Sequence, residues 1–243
     1  MSTPTGTTAK PARKRVQAMA QGRGAGERLI VPLAFDTAAS ISARPLDDFR
    51  HDPTQLANGL LELHRAVGSD GICCALGGEH PSEAGGPLDI ELLCAPGTRV
   101  SAGLEACRRL RATVGDAAAL LAGVTGPATL AARFDTDFAT ATAAFTALVK
   151  RYCDAGCDVI VVFEESQPGD ADAWTDALRT AGNIARFHRA LALSWDRDGP
   201  LPQPVKVELS AHAAGAGVIT TTGPVAADES IETLRAWVAG LRA

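Results

Sequence analysis

Two adjacent glutamates, Glu164 and Glu165, close the run Asp158–Phe163, which is nearly continuous in valine and isoleucine. Such a run suits a strand covered on both faces. Carboxylates at the end of a barrel strand stand where that architecture places its working residues. Neighbouring strand residues point to opposite faces, so only one of the pair faces the interior. A solvated strand end is the plain alternative. Asp36 closes an earlier apolar run, Leu29–Phe35, and is a third acid of this kind. Glu79, His80 and Glu83 share a Gly- and Pro-rich stretch, Gly77–Gly97. That stretch is too long for a routine connection, so it is functional or mobile. Its acids and histidine suit an acid–base or metal cluster, or a polar loop.

The six cysteines are Cys73, Cys74, Cys94, Cys107, Cys153 and Cys157. Their spacing makes no disulfide framework, so reduced and buried thiols are expected. Cys153 and Cys157 are four apart and would share a helical face. No second pair at ligand spacing follows them, and no metal is expected.

The elements that must position these groups alternate. Pro53–Val67 carries Leu56, Leu60, Leu63 and Val67 on one stripe, and Asp52 before Pro53 reads as an N-cap followed by the first helical residue. Gly71–Leu76, Ala117–Val124, Asp158–Phe163, Ala190–Trp195, Val205–Leu209 and Gly217–Thr222 read as strands after Leu29–Phe35. Leu104–Val114, Phe138–Ala155, Ala171–Phe187 and Ser230–Leu241 read as helices. Repeated strand-then-helix order predicts an α/β fold with a parallel sheet or barrel. A full (β/α) barrel takes ~250 residues, so the expectation is a TIM-type barrel, shortened or irregular in its C-terminal third. The links after Trp195 and Leu209 are too short for ordinary parallel crossovers. An antiparallel pair or a gap in the wall is expected there, with a homodimer covering the defect.

Charge is uneven. Residues 1–28 hold Lys10, Arg13, Lys14, Arg15, Arg23 and Arg28 against Glu27 alone, although the whole chain carries a formal −5. Few large apolar residues occur there, so residues 1–27 read as a disordered basic leader and 28–243 as one domain. No apolar run approaches the ~18 residues of a membrane helix. A cytoplasmic protein with a small-molecule ligand is expected, without nucleic-acid or membrane partners.

Three stretches carry a family likeness: Gly123–Ala131 (GVTGPATLA), Tyr152–Glu165 (YCDAGCDVIVVFEE) and Gly217–Arg242. Together they resemble the uroporphyrinogen decarboxylase superfamily, with its relatives the corrinoid-linked methyltransferases and cobalamin-independent methionine synthases. The resemblance implies a barrel with its ligand at the C-terminal mouth, and it makes Glu164 the match to the family's acid. It places Thr125, Gly126, Arg133 and Ser166, with Glu79 and His80, around the ligand.

The groups that family uses are replaced. Asp36-Thr37-Ala38-Ala39-Ser40 stands where the family has an Arg-rich segment, and Ala75 or Leu76 where a strand ends in Asp. Arg133 replaces a Tyr, Glu165 a Ser with Ser166 one step later, and Thr221-Thr222-Gly223 a Gly-His-Gly. The methyltransferase zinc positions read Glu208-Leu209-Ser210 and Thr220–Thr222, with His212 nearby and no cysteine. Uroporphyrinogen is an octacarboxylate, and an acidic domain without the Arg segment repels it unless Arg99 and Arg133 focus a local positive patch. Neither decarboxylation of uroporphyrinogen nor tightly held zinc or another cofactor is expected. What remains is catalysis by the mouth acids, by lyase or methyl-transfer chemistry, or a non-catalytic relative that binds a ligand.

Overall fold

The structure is a computed structural model that describes residues 10–42, 44–84, 86–195, 197–211 and 215–243. His212 and the side chain of Glu83 lie outside the described residues. In chain order the elements are α1 (Ala12–Ala20), β1 (Arg28–Ile30), α2 (Thr37–Ile41), α3 (Leu46–His51), α4 (Pro53–Val67) and β2 (Gly71–Leu76). Then come α5 (Pro81–Ala84), α6 (Ile90–Leu93), α7 (Arg99–Val114), β3 (Ala119–Thr125), α8 (Pro127–Phe134), α9 (Phe138–Asp154) and β4 (Val159–Phe163). The chain closes with α10 (Ala171–Phe187), β5 (Leu191–Ser194), β6 (Val205–Val207), β7 (Gly217–Thr221) and α11 (Ile231–Arg242).

All ladders are parallel. One sheet runs β2-β3-β4-β5 and the other β1-β7-β6. Every residue of β3 is buried, and so are Val159–Val162 of β4, because helices cover these strands. Parallel order puts the C-terminal ends of β2, β3 and β4 on one edge, and the loops that leave this edge build the site.

Local sequence explains the helices that frame the edge. Asp52 accepts from the amides of Thr54 (2.8 Å) and Gln55 (3.1 Å), Pro53 opens α4, and Gly68 ends it at φ 74°. Leu56, Leu60, Leu63 and Val67 are the buried stripe. In α8, Pro127 takes the first turn, where its missing N–H costs nothing.

Several expectations are corrected. Part of the expected leader is helical: α1 buries Ala12, Val16 and Ala18. Its basic residues have acidic partners, Arg13 with the buried Asp158 (3.0 Å) and Arg15 with the partly buried Asp70 (2.8 Å). Those acids are distant in sequence, so local composition gave no sign of them. The first strand stops at Ile30, short of Phe35. The Gly77–Gly97 stretch holds α5 and α6. Cys157 lies beyond the end of α9, past Gly156 at φ 100°, so it does not share a helical face with Cys153.

The C-terminal third also departs from an antiparallel pair. β6 and β7 are parallel, with Val205, Lys206 and Val207 opposite Ile219, Thr220 and Thr221. The short link suffices because β6 has three residues. Returning along it needs only ~10 Å of chain. Among the described residues no helix lies between β5 and β6 or between β6 and β7.

Candidate functional site

The polar centre at the strand ends starts with Glu79. Gly77, at φ 59°, turns the chain as it leaves β2, and Glu79 is then carried to full burial. Its Oε2 accepts from the Thr125 hydroxyl at the end of β3 (2.8 Å), and its Oε1 has no partner among the described residues. Burial pushes the Glu79 carboxyl above its ordinary value, and the Thr125 hydrogen bond offsets part of that rise. Arg133, in the last turn of α8, donates to the Thr125 hydroxyl (3.3 Å) and the Glu79 carbonyl (3.4 Å). Its other nitrogen pairs with the exposed Glu165 carboxylate (2.9 Å). Glu79, Thr125, Arg133 and Glu165, four residues singled out in the sequence, therefore form one bonded chain.

Glu164 belongs elsewhere. Phe163 packs on Leu76 and Trp195 over Gly123, where an added Cβ would sit 2.7 Å from the Phe163 ring. The next residue points to the opposite side of β4, under the start of α8. There Glu164 accepts from the amides of Ala128 (3.2 Å) and Thr129 (2.6 Å), the Thr129 hydroxyl (2.6 Å) and the Trp174 indole (2.9 Å). Four donors and a helix N-terminus hold this carboxylate as a cap. A Cβ at Gly126 would meet the Glu164 carboxylate, so glycine there leaves that carboxylate in its four-bonded position. Glu164, which the family likeness matches to an acid of the ligand site, thus braces the start of α8. Glu165 is the member of the pair that reaches the polar chain.

Thr129, which the sequence reading did not single out, organises the turn after β4. Its hydroxyl also accepts from the amides of Glu165 (2.7 Å) and Ser166 (3.0 Å). Ser166 takes part through its backbone, its carbonyl accepting from Arg197 (3.2 Å). His80 is exposed.

Asp36 is held by Arg50 through two bonds (3.1 and 2.7 Å). Arg50, Arg99, Gly77, Gly78, Phe35, Leu76 and Tyr152 line one cavity beside the strand ends. Arg99, at the start of α7, packs its Cβ region against Gly78 and pairs with the exposed Asp47 (2.6 Å). Arg50 and Arg99 thus line the cavity with Gly77 and Gly78, and Arg133 reaches the same loop at the Glu79 carbonyl. Arg50 was missed in the sequence: it stands 14 residues after Asp36, and only the α2–α3 turn brings the two together. At the positions compared with the zinc methyltransferases, Glu208 gives its carbonyl to Trp237 (3.0 Å), and Thr220 and Thr221 are buried.

No family model matches this chain, and no curated protein matches it. Among solved structures, a methyltransferase from Methanosarcina mazei is similar, with a TM-score of 0.62 over 95% of this chain and 98% of that one. The two are 14% identical, so the likeness is one of fold.

Proposed function

We propose that this chain is a decarboxylase- and methyltransferase-like barrel protein that binds a small mono- or dicarboxylate at the C-terminal ends of β2, β3 and β4. The observation that carries the reading is the cavity that Arg50 and Arg99 line with Gly77 and Gly78, with Arg133 bonded to the Glu79 carbonyl on the same loop. Asp47 and Glu165, which pair with Arg99 and Arg133, are each 71% exposed. Exposed ion pairs are worth only ~0–1 kcal/mol, so a ligand carboxylate can displace them. Guanidinium forks match carboxylates in bidentate fashion. Each arginine is already matched by an acid, so the site suits one or two ligand charges better than an octacarboxylate tetrapyrrole.

The barrel reading rests on two seams. At the first, Asp70 donates its amide to the Ile30 carbonyl (2.9 Å) and accepts from the Ile30 amide through its side chain (2.9 Å). At the second, Ser194 donates its amide to Pro202 (2.9 Å), and Lys206 donates to the Trp195 carbonyl (3.1 Å). These bonds support reading the two sheets as one irregular ring of seven strands. The methyltransferase likeness supports the same architecture.

A second reading, catalysis, is favoured by Glu79. A buried carboxyl raised in pKa, with one oxygen unpartnered, is equipped to act as a general acid in lyase or methyl-transfer chemistry. The test of the binding reading is a thermal-shift screen of small carboxylates. A ligand that raises Tm in the wild type and loses that effect in Arg50→Ala and Arg133→Ala supports it. A screen in which no carboxylate distinguishes wild type from both variants refutes it.

A further inference from the structure

Three cysteines from distant parts of the chain meet behind the sheet: Cys74 of β2, Cys107 of α7 and Cys157 ahead of β4. Their sulfurs form a triangle with edges of 2.7 Å (Cys74–Cys107), 3.0 Å (Cys107–Cys157) and 3.7 Å (Cys74–Cys157). Cys74 and Cys107 are wholly buried, and Cys157 is 4% exposed. Two edges are shorter than the ~3.5–4.0 Å at which even carbon atoms rest. All three are longer than the ~2.05 Å of a disulfide. Among the described residues this is the one group of His, Cys, Asp or Glu side chains whose ligand atoms lie close enough to share an ion. Arg111, one turn beyond Cys107, spans the edge of the cluster. It donates to the Gly156 carbonyl (3.1 and 3.2 Å) and pairs with Asp158.

We propose that Cys74, Cys107 and Cys157 are a three-thiolate site for a soft metal ion, best fitted by copper(I). Thiolates select soft ions such as copper(I) and zinc. Structural zinc almost always takes four ligands, and the cluster offers three. Copper(I) is satisfied by three sulfurs. An ion ~2.3 Å from each sulfur sets them ~4.0 Å apart in a plane, so two edges open by about an ångström. Side-chain rotation supplies that. Loading breaks three S–H bonds, forms three S–Cu bonds and sends three protons to solvent, so no oxidant or reductant is needed. The complex is anionic, and the Arg111 guanidinium beside it offsets part of that charge. The site is on the helix side of β2, and none of its three cysteines lines the strand-end cavity.

The test uses the full chain, purified anaerobically and checked for six free thiols by alkylation and mass spectrometry. Copper(I) is titrated in competition with a chromogenic chelator. One equivalent withheld from the chelator, with thiolate-to-copper absorption in the ultraviolet, is the expected result. Cys107→Ser weakens binding by more than the ~10–100-fold typical of losing an outer-shell partner. Cys153→Ser, a buried cysteine outside the triangle, leaves binding unchanged. If Cys107→Ser does not fold by circular dichroism, Cys157→Ser at the rim replaces it. Failure of the wild type to withhold copper overturns the site, as does unchanged affinity in the triangle variant. A Cys74–Cys107 disulfide in the freshly isolated protein also overturns it. Zinc alone is the second probe, and tighter binding of zinc than copper overturns the three-coordinate assignment.

Discussion

Glu79 sets the pH behaviour of the site. Its carboxyl is raised above 4.5 by burial. Between the unfolded and folded pKa values, the folded state therefore holds a proton that the unfolded chain has lost. The resulting stability is fully present below the unfolded pKa and is lost as pH rises through the folded pKa. Glu79→Gln should flatten this fall, which Tm measured from pH 4 to 8 would reveal; a parallel decline in both proteins would contradict it. Asp70 has the opposite sign. Burial works against its charge, but the Arg15 and Ile30 hydrogen bonds override it and hold its pKa down. Its contribution is present above the unfolded value of 3.8 and is lost as pH falls through the folded pKa. Asp70→Asn should therefore lose stability at neutral pH and show a shallower acid limb in the same scan. Thr129→Val keeps the side chain's volume and removes bonds to Glu164, Glu165 and Ser166. It should cost about 2–3 kcal/mol in urea denaturation. Of the site residues, Glu79 and Arg133 were legible as polar groups near a strand end. The burial of Glu79 was not, because it depends on Thr125 and α8 closing over it. Alternation along β4 showed that Glu164 and Glu165 must part. Which of them faces inward is decided by Phe163 packing on Leu76 and Trp195, a tertiary contact.

Among the elements, α1 binds the chain's start to the underside of the sheet. Arg13 and Arg111 both meet the nearly buried Asp158, which also accepts from the Leu120 amide (2.9 Å). Removing one partner of a buried ion pair costs ~3–5 kcal/mol. Asp158→Ala should fall in that range in chemical denaturation, and a loss below 1 kcal/mol would mean the network is solvated. Helices with local signals were readable: Asp52, Pro53 and Gly68 delimit α4, and Ser230 caps α11 through the Thr233 amide (3.0 Å). α1 was not readable, because its three buried residues make a weak stripe and its ionic partners lie elsewhere in the sequence. The parallel link between β6 and β7 was misjudged for a related reason: the crossover rule assumes a strand of ordinary length.

For the whole molecule, no described helix is long and apolar enough to cross a membrane. The homodimer expected from the sequence would cover a defect in the C-terminal third of the wall. Sedimentation at micromolar concentration should show a concentration-dependent dimer if that cover exists, and a concentration-independent monomer refutes it. The chain lacks the arginine segment of the uroporphyrinogen decarboxylases that its sequence resembles. An anaerobic assay with uroporphyrinogen should give no coproporphyrinogen above the uncatalysed background. We propose a carboxylate site at the strand ends, with Arg50 and Arg99 lining its cavity and Arg133 on the adjoining loop. Its most direct measurement is calorimetric titration of the best carboxylate from the thermal-shift screen into wild type, Arg133→Ala and the distant surface variant Arg179→Ala. Affinity should fall at least about tenfold in Arg133→Ala, the ~1.4 kcal/mol of a lost charged hydrogen bond, and stay unchanged in Arg179→Ala. Equal affinity in all three proteins would contradict it.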